Sequence, residues 1–190
     1  ISPCHYYRWA EAGETPFDYG QRVANELEQE ILRIGEGKVA AFMAEPVVGA
    51  TMGAVPAVDG YYTRIREICD QYGVLLILDE VMCGMGRTGH LYACDHDQIK
   101  PDMLCIAKGL GAGIQPIGAM LCQNFIYQAI VNGSGFFQHG HTYIGHPTAC
   151  AAGLAVMEEL IQPGTMQHVQ AMGALLQASL HDALGSHSWV

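Results

Sequence analysis

The five residues Val74-Leu-Leu-Ile-Leu78 are apolar without a break and stop at once on Asp79-Glu80. A run this short, aliphatic and without polar alternation reads as a strand buried on both sides, not as one face of a helix. Two further runs share the form. Val39-Ala-Ala-Phe-Met43 leads into Glu45-Pro46, and its apolar character predicts a sheet covered on both faces; Met103-Leu-Cys-Ile-Ala107 ends on Lys108. Residues 117–122 supply a fourth strand. Between the runs, apolar positions recur at helical spacing. Val23, Leu27, Ile31 and Ile34 predict a helix from Gln21 that stops at Gly35. Tyr62, Ile65, Ile68, Cys69 and Tyr72 predict another, capped by Asp59 and closed by Gly73. Pro147 suits the first turn of a helix through Ile161, and Val169, Met172, Leu176 and Leu180 mark a last amphipathic helix. The first twenty residues, with Pro3, Gly13 and Pro16, read as loop, and a polar, His-rich loop precedes Pro147.

Strands that alternate with helices predict an α/β fold, a mainly parallel sheet with helices on both faces. In such sheets ligands bind beyond the carboxyl ends of the strands. Here three successive strand ends carry Glu45, Asp79 and Lys108.

Composition narrows the function classes. The 190 residues suffice for one cored domain and the start of a second. A net charge of −10 and the lack of any Lys/Arg run argue against nucleic acid or anionic membrane as partner. No apolar stretch approaches the ~20 residues of a membrane span. Seven cysteines, an odd number without tight spacing, read as free thiols of a reduced, cytoplasmic protein. The start at Ile1 and the abrupt tail Gly185-Ser-His-Ser-Trp-Val190 suggest part of a longer protein.

A lysine placed directly after a buried strand is costly to desolvate, and burial would lower its pKa and free a nucleophilic amine, the property Schiff-base chemistry uses. An aspartate at the neighbouring strand end would hold a cationic ring nitrogen, the partner a pyridoxal phosphate ring needs to draw electrons from its substrate. The residues alone leave the alternative of a structural Asp–Lys ion pair open.

Four segments together resemble one family. Leu78-Asp-Glu-Val81 followed by Cys83-Gly-Met-Gly-Arg-Thr-Gly89, Ile106-Ala-Lys-Gly-Leu110 with Gln115-Pro-Ile-Gly-Ala119, His141-Thr-Tyr-Ile-Gly-His-Pro147, and Ala44-Glu-Pro-Val47 are similar to blocks of the class III (omega) aminotransferases, in the family's order. The resemblance implies the large domain of a fold type I enzyme that uses pyridoxal 5'-phosphate, over residues 1–162, with residues 163–190 opening the small domain. It implies Lys108 as the Schiff-base lysine that also shuttles the substrate proton, Asp79 as partner of the ring nitrogen, and Val81 under the ring face. Thr142 would bind the phosphate of the partner subunit's cofactor in a homodimer, and Glu45 and Gln115 would support the pocket. Each has a plainer reading: Val81 as core, Thr142 as a loop hydroxyl, Gln115 as a loop amide, Glu45 as a helix cap.

Two other patterns lack their context. Gly84-x-Gly86-x-x-Gly89 matches a dinucleotide fingerprint, but Leu91-Tyr-Ala-Cys94 does not open a helix after it. His139, His141 and His146 have mixed loop spacing and no matching Cys or carboxylate pattern for a metal. In family members that act on ornithine or 4-aminobutyrate, a second glutamate stands five residues after the first; here that position is Ala50. The resemblance therefore implies transfer of an amino group from an omega-amino acid or amine to a small 2-oxo acid such as pyruvate. The family's N-terminal phosphate cup and C-terminal substrate arginine have no counterpart in these residues. The rivals are another reaction on the same cofactor (aminomutase, racemase or phospho-lyase) and a non-catalytic homologue or fragment acting as an assembly partner.

Overall fold

Every apolar run read as a strand lies in one sheet. The computed structural model describes residues 1–188. Along the chain come α1 (Tyr6–Trp9), α2 (Pro16–Ile34), β1 (Ala41–Ala44), β2 (Val47–Val48), β3 (Val55–Pro56), α3 (Tyr61–Tyr72), β4 (Leu75–Asp79), β5 (Met103–Ile106), β6 (Ala119–Cys122), α4 (Asn124–Asn132), α5 (Pro147–Leu160) and α6 (Thr165–Leu184), with 3-10 turns at Ala93–Asp95 and Lys108–Gly111. The main sheet has the order β1-β4-β5-β6, and β2 and β3 form a separate short ribbon. β1, β4 and β5 run parallel, whereas β6 is antiparallel to β5. The fold is thus α/β with a mainly parallel sheet, as its strand-helix alternation requires.

The core explains why β4 is unbroken in apolar character. Leu76 and Leu78 are fully buried in one cluster with Ile65 and Ile68 of α3 and Val23, Leu27 and Ile31 of α2. Burial of each such side chain contributes about 1.5–3 kcal/mol. Leu75, Ile77 and Asp79 alternate onto the opposite face, where they are half-buried.

Several local expectations need correction. The first twenty residues are not all loop: α1 lies there, and α2 starts at Pro16, not Gln21. Thr15 Oγ1 accepts the Asp18 N–H at 3.2 Å, and Pro16 fills a first-turn position where its missing N–H costs nothing. Asp59 does not cap α3. The chain turns left-handed at Gly60 (φ 84°), one residue later, and Asp59 Oδ1 instead meets His96 Nε2 at 3.4 Å. Gly73 (φ 65°) does end that helix, its N–H bonded to the Cys69 carbonyl. β1 is not covered on both faces; among the described residues it is one of the sheet's two edge strands, with Ala41 and Met43 exposed. α4 occupies a stretch with no clear helical stripe in the sequence. The predicted stripe of α6 exists as a helix, but Met172, Leu176 and Leu180 are all exposed among the described residues. No helix of the described residues is long and apolar enough to cross a membrane. All seven cysteines are free.

Candidate active site

The parallel register brings the three strand ends side by side. Ala44 on β1 pairs with Leu78 on β4, so Glu45 follows β1 next to Asp79. Asp79 in turn pairs with Cys105 on β5, three residues before Lys108. Glu45, Asp79 and Lys108 therefore gather at one edge of the sheet, the carboxyl-terminal edge.

Each is held differently. Asp79 Oδ1 accepts the Val81 N–H at 3.0 Å, while Oδ2 has no hydrogen-bond partner among the described residues. Glu45 Oε2 accepts the Gly49 N–H at 3.0 Å, and its carbonyl accepts the hydroxyl of buried Tyr62 at 2.6 Å. Its carboxylate thus pins the loop that follows β1. Lys108 opens a 3-10 turn in a left-handed conformation (φ 42°) that non-glycine residues seldom adopt. The expectation of a buried Lys108 is overturned, since its side chain is exposed. Strand alternation alone would aim it inward with Leu104 and Ile106, but the left-handed turn ends that alternation at this residue. α5 backs the turn: a Cβ on Gly153 would lie 3.3 Å from Ile117 and 3.7 Å from the Leu110 carbonyl.

The residue that sequence reading passed over is Glu80. It is fully buried, and its two carboxylate oxygens accept the N–H groups of Ala93 (2.6 Å) and Cys94 (2.8 Å). Burial pushes its carboxyl above the usual carboxylate range, against the opposing pull of those two backbone donors. Its position shows in the sequence through period-two alternation, because Leu76, Leu78 and Glu80 share one parity and the first two are core. Around it the buried thiols are inert: burial pushes Cys83 up to about 11 and raises Cys94 as well.

The remaining predicted residues sit nearby or apart. Val81 is half-buried directly after Asp79-Glu80, where its N–H fixes Asp79. Gln115 is half-buried in the segment between the lysine turn and β6, without a hydrogen bond among the described residues. Thr142 is exposed in the turn before α5, and no hydrogen bond links it to Asp79 or Lys108. His139 and His141 stack edge to face at 5.1 Å, and His146 meets Tyr143. After Gly89 the chain passes through turns to the 3-10 turn at Ala93, so the Gly84–Gly89 pattern opens no helix.

Residues 7–190 match the family Aminotransferase class-III. The chain belongs to the class III aminotransferases. It is 43% identical over 187 residues to an aminotransferase of Gibberella zeae, covering 98% of this chain and 37% of that protein. It is 40% identical to a diaminobutyrate–2-oxoglutarate transaminase of Halomonas elongata, covering 98% of this chain and 40% of that protein. An (S)-enantioselective omega-transaminase from Thermomicrobium roseum superposes with a TM-score of 0.89 at 37% identity, over 97% of this chain and 41% of that one. An omega-aminotransferase from Paracoccus denitrificans gives a TM-score of 0.87 at 36% identity, over 95% of this chain and 41% of that one. This class III chain thus spans about two fifths of the length of the relatives it matches.

The strand-end residues fit two of the contacts a pyridoxal phosphate ring needs, an amine and a partner for its ring nitrogen. One exposed amine and one carboxylate stand on adjacent strand ends, the carboxylate oriented by a backbone N–H through one oxygen and free at the other.

Proposed function

We propose that this class III aminotransferase moves an amino group from an omega-amino acid or amine to a small 2-oxo acid such as pyruvate, using pyridoxal 5'-phosphate held by Lys108 and Asp79. The observation that carries the reading is the register, which sets Asp79 and the lysine turn on neighbouring strands at the ligand-binding edge. Bound there, the cofactor supplies the carbonyl that takes up the amino group and the cationic ring that draws electrons from the substrate carbon.

The chain's own residues do the rest. Lys108 Nζ holds the cofactor and then takes a proton from the substrate carbon and returns it. Asp79 keeps the ring nitrogen protonated, and its tether to the Val81 N–H prevents the carboxylate from turning away. Val81 packs under the ring face. Glu45 and Gln115 shape the pocket, Glu45 by holding the loop after β1 to Gly49. Thr142 binds phosphate from the partner subunit of a homodimer. The Gln162-Pro-Gly164 break between α5 and α6 motivates a boundary after residue 162, with 163–190 opening the small domain. Ala50, standing where members that act on ornithine or 4-aminobutyrate have a second glutamate, supports a different omega-amino acid or an amine as donor.

The test is chemical. In the full-length protein loaded with pyridoxal phosphate, borohydride reduction and peptide mapping should label Lys108; a label on Lys38 or Lys100 overturns the assignment. Pyruvate-dependent formation of ketone or aldehyde, without isomerisation of a single amino substrate, separates transamination from the mutase and racemase chemistries.

A further inference from the structure

We propose that Glu80 is a positioning residue of this site, whose buried carboxylate, by holding the backbone N–H groups of Ala93 and Cys94, fixes Asp79 and Val81 relative to the lysine strand. The inference rests on the assignment of Asp79 and Lys108 made under the proposed function.

A buried carboxylate is costly unless its oxygens are engaged. Glu80 engages both, and the donors lie 13 and 14 residues further along the chain, so one side chain closes the whole loop that follows β4. Its backbone fastens two more elements. The Glu80 N–H donates to the Cys105 carbonyl of β5 at 2.9 Å, and its carbonyl accepts the Gly84 N–H at 3.0 Å. Four hydrogen bonds thus tie this residue to the lysine strand, to the glycine loop and to the 3-10 turn. Asp79 and Val81 flank it, bonded to each other. Glycine at 84 leaves no slack, because a Cβ there would lie 2.9 Å from the Glu80 carbonyl and 3.0 Å from Oε2. Full burial keeps the carboxylate from substrate, so its influence passes through Asp79 and not through contact.

Two variants of the full-length, cofactor-loaded protein test this. Glu80→Gln keeps the volume but replaces one acceptor oxygen with an NH2 donor that faces a backbone N–H. Ala93→Pro removes one of the two donors at the first position of the 3-10 turn, which tolerates proline. Tyr92 before it is already extended (φ −117°, ψ 142°), as the residue preceding a proline must be. Both variants should displace the pH midpoint of the cofactor's visible absorbance and lower kcat by about tenfold or more, with KM little changed, because small misplacement of a reacting group carries penalties of that order. Asp79→Asn is the reference and should move the same band. If Asp79→Asn moves it while Glu80→Gln and Ala93→Pro only lower the melting temperature, Glu80 is structural and the proposal fails alone. If Asp79→Asn leaves the band in place, the site reading fails and takes this proposal with it. Should Glu80→Gln not fold, Ala93→Pro decides.

Discussion

Lys108 stands in a backbone conformation that costs a non-glycine residue on the order of 1 kcal/mol. Such strain persists where the surrounding structure and a functional demand hold it, here β5 on one side and α5 on the other. The side chain and the backbone can therefore be separated by mutation. Lys108→Ala and Lys108→Gly both remove the amine and should both abolish the borohydride label. Lys108→Gly should be the more stable of the two by about 1 kcal/mol, since glycine enters the left-handed region without penalty. Denaturant unfolding of the two full-length variants checks this, and equal midpoints would show that the turn carries no strain. The gathering of Glu45, Asp79 and Lys108 at one sheet edge was legible before the fold, because the order of charged residues at strand ends survives any detail of packing. The exposure of Lys108 was not, since a left-handed turn at a lysine leaves no trace in residue type. Glu80 was overlooked for another reason: beside Asp79 it reads as one of a polar pair, although the parity of Leu76 and Leu78 assigns it to the core.

α2 shows how an element's start can be missed and what then holds it. Thr15, Pro16 and Asp18 are ordinary initiation signals, yet the apolar stripe begins only at Val23, so periodicity alone starts the helix late. α4 was missed for the converse reason: Phe125, Tyr127 and Val131 are exposed and give no one-sided pattern. The entry to α2 is held by Arg22, which donates to Glu14 from Nε at 2.7 Å and from Nη2 at 2.9 Å. That hydrogen-bonded pairing lowers the Glu14 carboxyl from its ordinary 4.5 to about 2. A depressed acid contributes stability above its unfolded pKa and loses it as the pH falls through the folded value. The contribution should therefore fade from pH 4.5 toward 2. Arg22→Gln should be less stable than wild type at pH 6, and the two should converge near pH 2, as followed by thermal unfolding. A constant gap across that range would show that the pair is not the source.

Across the whole molecule, apolar side chains crowd the regions that no described element covers. Met120 and Leu121 on β6, Phe136, Phe137 and Tyr143 before α5, and Leu176 and Leu180 on α6 are all exposed. Thr142 lies in this uncovered region, as a group serving a partner subunit would. Full-length Lys108→Ala and Thr142→Ala, unfolded together and refolded as a mixture, test the shared site. A mixed dimer with Thr142 acting across the interface has one site with both defects and one with neither, so activity returns. No recovery beyond the separate variants, with mixed dimers demonstrated, counts against it. The sheet order has a bearing on biosynthesis. β1, β4, β5 and β6 leave the ribosome in the order in which they pair, so each parallel strand meets a neighbour already made, and the antiparallel β6 closes that side last. Growth is one-directional. The outer flank of β1 gains no partner from any later described strand. Among the described residues it is an open row of hydrogen-bonding groups, the kind of edge that accepts a further strand, whether from elsewhere in the protein or from a wrong neighbour.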